Sequence, residues 1–255
     1  MLAFGELVLA NTGDGRIDYH LQNLRMIKAA QTYGFLMYLR VSGVDVRQFK
    51  AILTLTEGFI LRRHICKERA NETETLFAKL CATDPKNAIT ETKKGYRAAC
   101  PTDDRFKDDF LNTDFANNID RARYCLEKIE LRRHGNHYEL RVVGPEAVHV
   151  EHIIPQKIKT KKAKEEFGDW VTYLGDNAEE AHLKFVSKIG NLTLFAGTLN
   201  IVASNNPFAS KKAEYGKSGI EITKELAIMP AFKIKQVVAR SKTLAEIAVE
   251  LWPRP

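Results

Sequence analysis

The chain has 255 residues, enough for one large domain or two modest ones, and its 44% hydrophobic and 28% charged content is that of an ordinary globular protein. The 39 Lys and Arg against 32 Asp and Glu give a net charge of +7, spread over both halves, which favours a polyanionic partner but marks no basic tail. No apolar run approaches the roughly 18 residues of a membrane span, residues 1–10 lack the basic start of a secretory signal, and Cys66, Cys81, Cys100 and Cys125 form no C-x-x-C pair. These features argue against a membrane protein and a cysteine-based zinc site, and for reduced, buried thiols in a cytoplasmic one.

Residues 1–136 read as a helical domain. Leu21, Leu24, Ile27, Ala30 and Phe35 through Tyr38 recur at helical spacing, and Val44 to Cys66 carries Phe49, Ile52, Leu53, Phe59 and Ile60 on an inward face. Asn71, followed by Glu74, reads as the cap of a helix through Leu76, Phe77 and Leu80. Thr102 opens a short helix through Phe106 and Phe110, and Asp120 to His134 is amphipathic with Gly135 placed to end it.

The period then changes. His137 to Val143 alternates as a half-buried strand does, Gly144-Pro145 signals a turn, and Ala147 to Ile154 is again strand-like until Pro155. A hairpin and a domain boundary near 136–146 are therefore expected. A lysine-rich loop follows, with Lys157, Lys159, Lys161, Lys162 and Lys164. Gly190 to Phe195 reads as a strand, Thr198 to Ala203 as a helical turn, Pro207 to Tyr215 as a helix start, and Phe232 to Trp252 as a terminal brace.

Three features in this second part have the residue types of a hydrolytic site: Glu151-His152 in an apolar strand, Gly190-Asn191-Leu192-Thr193-Leu194, and Asn200 nine residues beyond Asn191. Imidazole is the side chain suited to deprotonate water near neutral pH. A carboxylate with an amide oxygen makes a modest hard-ion site, completed by water and phosphate. Neighbouring strand residues point to opposite faces, so Glu151 and His152 share a surface only if a bulge or a strand end before Pro155 re-aims one of them. Alone, each has an ordinary reading: a core histidine, a solvated glutamate, asparagines at turns and caps. The lysines read equally as a solvated face or as contacts to a phosphate backbone.

Val-Glu-His-Ile-Ile-Pro, Gly-Asn-Leu-Thr-Leu and Asn-x8-Asn together resemble the ββα-metal (His-Me finger) HNH nucleases. More narrowly, residues 148–255 resemble the C-terminal nuclease domain of GmrSD-type modification-dependent restriction proteins and of SspE-type phage-defence nucleases. That likeness continues through Asn205-Asn206-Pro207-Phe208, Lys211, Tyr215, Ser218 and Arg240, and more weakly through Arg62-Arg63 and Leu76-Phe77 in the helical part. The resemblance implies an α+β, mostly helical fold, with a helical connector over 1–136 and an HNH nuclease core over 137–255 braced by C-terminal helices. It implies a DNA endonuclease of a restriction or anti-phage system, with His152 as general base and Asn191 pinning the loop that orients it. Glu151 and Asn200 would hold one Mg²⁺ or Mn²⁺, and Lys157, Lys159, Lys161, Lys162 and Lys211 would meet double-stranded DNA. A nucleotide-hydrolysing N-terminal domain or partner subunit would complete the system. A nucleic-acid-binding scaffold with a decayed HNH fold, and an RNA-directed nuclease, are the competing expectations. The interval between His152 and Asn191 exceeds that of the compact HNH core, which leaves the path of the connection open.

Overall fold

Helix-forming sequence dominates, and a computed structural model shows a mostly helical α+β chain. The structure describes residues 2–135, 148–159, 161, 164–165, 168–197 and 206–255. The expected strand at 137–143, the turn at 144–145, the helical turn at 198–203, Lys162 and Asn200 lie outside the described residues. Two compact units are present, one of Met1–Phe110 with Val249–Pro255, the other of Leu111–Ala248.

The first unit contains α1 (Leu2–Leu9), α2 (Gly15–Met26), α3 (Tyr33–Val41), α4 (Val46–Ile65), α5 (Ala70–Leu80), α6 (Ala88–Ala99) and most of α7 (Asp103–Asn112). Asp45 caps α4 by accepting hydrogen bonds from the Arg47 and Gln48 amides. The helix buries Phe49, Ile52, Leu53, Phe59, Ile60 and Leu61 and is buried nearly all round over its second half, polar residues included. Phe59 stacks on Tyr96 of α6 at 4.0 Å, and the Tyr96 hydroxyl reaches Thr56 at 2.8 Å. Two expectations are corrected here. The periodic stretch from Leu21 to Tyr38 is two helices, because Lys28 turns to a φ of 60° and the Ala29 amide closes back on the Leu24 carbonyl. The helix with Leu76 and Phe77 begins at Ala70, so Asn71 lies inside it rather than capping it.

The charged tail of α4 is built inward. The Arg62 guanidinium is fully buried over the Phe106 ring and donates to the Trp252 and Pro101 carbonyls at 2.8 Å each, with Asp103 also at 2.8 Å. Arg63 donates to the Ala99 carbonyl at 2.6 Å and to Glu72 at 2.7 Å. Arg62→Met removes the guanidinium that donates to the Trp252 and Pro101 carbonyls, and is expected to cost this unit about 3–5 kcal/mol. Urea unfolding followed by circular dichroism checks this; a change below about 1 kcal/mol would show the guanidinium to be dispensable. The cysteines are free, with Cys66, Cys100 and Cys125 buried and Cys81 half-buried. Burial pushes the Cys66 thiol up to about 12, so it is an inert packing group.

The second unit carries α8 (Ile119–His134), β1 (Val148–His152), α9 (Trp170–Leu174), α10 (Ala178–Phe185), β2 (Leu192–Ala196), α11 (Phe208–Tyr215), α12 (Glu221–Lys224) and most of α13 (Ile234–Leu251). β1 and β2 form an antiparallel pair, Val148 opposite Ala196 and His152 opposite Leu192. Beside them Ile153, Ile154, Trp170, Phe195, Phe208, Tyr215, Phe232 and Val237 form one apolar core. The boundary expected near 136–146 is displaced, because α8 belongs to this unit. Its Glu130, fully buried, accepts hydrogen bonds from the Glu221 and Ile222 amides at 2.9 Å each and so caps α12. Arg123 of α8 also donates to the Val148 carbonyl of β1.

Candidate active site

The stretch after β1 is an irregular turn whose backbone groups need partners once the strand ladder stops at His152. Asn191, wholly buried in a 3-10 turn before β2, supplies most of them. Its Oδ1 accepts from the Ile154 amide at 2.9 Å, and its Nδ2 donates to the Ile154 carbonyl at 2.9 Å and the Val186 carbonyl at 2.8 Å. Its own carbonyl accepts from the Ile153 amide at 2.9 Å. One residue further, His182 of α10 donates from Nε2 to the Pro155 carbonyl at 2.7 Å. On the other side Lys211 of α11 donates to the His152 carbonyl at 2.9 Å. The backbone of residues 152–155 is thus fixed by three side chains from three separate segments.

Asn191 is held in turn. Gly190 lies under α13 so closely that a β-carbon there would fall 2.1 Å from the Val237 carbonyl oxygen and 2.3 Å from the Ser241 hydroxyl. The Gly190 amide donates to that hydroxyl at 3.0 Å, and Arg240 donates to the Gly190 carbonyl at 3.1 Å and the Leu192 carbonyl at 2.5 Å. The terminal helix braces the turn, and a glycine is what permits the close approach.

His152, by contrast, is half-exposed. Desolvation first, then the Lys211 charge and His182, hold its imidazole down at about 4, so it is neutral at neutral pH. The Gln156 amide nitrogen lies 3.4 Å from its Nε2.

Glu151 points the other way. Pairing is regular through Glu151 opposite Thr193 and His152 opposite Leu192, so no bulge re-aims Glu151, and the strand ends at His152. The Glu151 carboxylate is buried and bound at 2.5 Å by the ammonium of Lys211, itself fully enclosed. Burial pushes the Glu151 carboxyl up and the Lys211 ammonium down, and each partner's charge pulls the other back. One expectation is corrected: Lys211 has no surface to offer a DNA phosphate, because its charge is spent inside the unit. Glu151, expected to hold Mg²⁺ or Mn²⁺ together with Asn200, has one carboxylate oxygen engaged by Lys211, and Asn200 lies outside the described residues. Among the described residues no trio of His, Cys, Asp or Glu is placed to hold a metal ion.

The lysine-rich stretch, expected as a loop but helical at Lys161 and Lys164, is exposed at Lys157, Lys159, Lys161 and Lys164. Lys159 meets Glu179 at 2.5 Å, and Lys161 and Lys164 lie 3.8 Å from Glu165 and Asp169. Exposed pairs of this kind contribute about 0–1 kcal/mol and exchange readily for phosphate. No helix among the described residues is long and apolar enough to cross a membrane.

The roles of His182 and Lys211 were not read from the sequence. For Lys211 a signal existed, because it lies on the stripe of Phe208 and Tyr215, where an ammonium requires an internal anion. Glu151 in an apolar strand posed the matching demand with opposite sign.

A search of curated proteins finds no match. The family model described as GmrSD restriction endonucleases, C-terminal domain, matches residues 100–247, which include α8, both strands and every residue that pins the turn. With that match over more than half its length, the chain belongs to the family of the C-terminal domain of GmrSD restriction endonucleases.

Proposed function

We propose that the chain is a DNA endonuclease of a restriction or anti-phage system, with His152 as the general base that activates water for attack on a phosphodiester. The observation that supports this most is the contrast at β1's end: a half-exposed, neutral imidazole on a backbone fixed at four successive residues. A base must be held within a few tenths of an ångström to act, whereas a merely packed histidine needs no such frame. In this reading His152 takes the proton of the attacking water, and Asn191 keeps the turn in place while the imidazole becomes cationic. Lys157, Lys159 and Lys161 lie close along the chain to meet duplex phosphates, each such contact adding to the salt dependence of binding. The negative charge that builds on the phosphoryl group calls for a cation. One Mg²⁺ or Mn²⁺ belongs to this reading. A nucleotide-hydrolysing domain or subunit is the expected partner.

Supercoiled plasmid, linear duplex and RNA, each incubated with the chain in Mg²⁺, Mn²⁺ or EDTA, test the reading. Nicked or linear DNA in the divalent-ion lanes is the expected outcome. Salt-sensitive DNA binding without cleavage under any condition would instead identify a scaffold, and preferential loss of RNA an RNA-directed enzyme.

A further inference from the structure

We infer that Lys211 and Glu151 form an internal ionic lock that positions His152, making Lys211 a positioning residue of the reaction and Glu151 its counter-ion. The inference rests on the nuclease reading for its kinetic consequences, but its structural content stands apart from it. Lys211 is fully enclosed, and an ammonium withdrawn from water persists only with strong acceptors. It has two: Glu151 Oε1 at 2.5 Å and the His152 carbonyl at 2.9 Å. The second acceptor is the informative one. The His152 carbonyl stands where the β1–β2 ladder ends and the turn held by Asn191 begins, so Lys211 joins the two regimes at the residue that bears the imidazole. Glu151, one residue earlier, anchors the ammonium from the opposite face of the strand. The buried hydroxyl of Tyr215, one helical turn beyond Lys211, has no hydrogen-bond partner among the described residues. The acceptors of the ammonium therefore lie on β1 rather than on its own helix.

Stability alone would not require a charged pair here, because buried ion pairs replaced together by apolar residues often leave a fold as stable or more so. That gives the test. The double variant Glu151→Leu/Lys211→Met is compared with wild type, Lys211→Met, Lys211→Arg and Glu151→Gln by thermal melting, amide hydrogen exchange over residues 150–156, and plasmid-cleavage kinetics. The lock predicts that the double variant melts close to wild type, while exchange over 150–156 accelerates by about tenfold or more. It further predicts that kcat falls by about tenfold or more with KM within about twofold, and that Lys211→Arg recovers part of the loss. Wild-type exchange in the double variant would overturn the lock whether or not the chain cleaves DNA. Unchanged kcat alongside faster exchange would overturn the positioning role. A rise in the Mg²⁺ concentration for half-maximal cleavage in Glu151→Gln, absent in Lys211→Met, would overturn the counter-ion role and make Glu151 a metal ligand. A wild-type chain inert on every substrate, with exchange accelerated as predicted, would sink the nuclease reading while leaving the lock intact.

Discussion

Gly190→Ala is expected to unfold or severely weaken the second unit, at a cost above about 3 kcal/mol, while the chemically identical change Gly34→Ala is neutral or slightly stabilising. The difference lies wholly in what the new methyl meets. At Gly190 it would sit 2.1 Å from the Val237 carbonyl oxygen and 2.8 Å from the Ser241 amide nitrogen, backbone atoms of α13 that move only if the helix moves. Displacing α13 would also loosen the Ser241 and Arg240 hydrogen bonds to the Gly190–Leu192 backbone. At Gly34, inside α3, a methyl meets nothing within 4 Å, and alanine is the better helix former. Thermal melts of the two variants beside wild type decide the point. A Gly190→Ala protein melting within about 3 °C of wild type would show that the approach of α13 to the turn is looser than described.

The second large effect is expected at Asn191. Replacement by alanine deletes three hydrogen bonds to buried backbone, leaving the Ile154 amide and carbonyl and the Val186 carbonyl without that partner. The expected loss is about 2–4 kcal/mol of stability, within what unsatisfied buried groups cost. The turn after His152 would also be released, and about 100-fold in cleavage rate is expected to go with it. Asn191→Asp should rescue neither property: it retains an acceptor for the Ile154 amide but sets a carboxylate against two carbonyl oxygens. Melting curves with single-turnover cleavage rates measure both consequences. An Asn191→Ala protein that cleaves within about threefold of wild type would mean that the pinned turn has no part in the chemistry.

How much of this was visible in the residues differs from place to place. Helix ends marked by a local signal were legible: Thr102 before α7, and Gly135, whose φ of 81° suits it to end α8. The break between α2 and α3 was not, because it is made by Lys28 in a left-handed conformation that local sequence seldom announces. The placement of α8 followed from tertiary bonds, Glu130 capping α12 and Arg123 reaching β1, which periodicity cannot contain. At the site, His152 and Asn191 were singled out together through the resemblance, and the structure ties the Asn191 side chain to the Ile154 backbone two residues beyond His152. Lys211 was misread because it was judged as a lone charge seeking an external phosphate, when Glu151 is its internal partner.

The central claim is that His152 is a base on a fixed frame. The measurement that addresses it most directly is cleavage of supercoiled plasmid by wild type and His152→Ala, with matched melting curves, in Mg²⁺ and in EDTA. Because the imidazole is half-exposed and its backbone is held by other residues, His152→Ala is expected to fold as wild type does and to lose about 10²–10⁴ in rate. Equal rates for a folded His152→Ala and wild type would contradict the account.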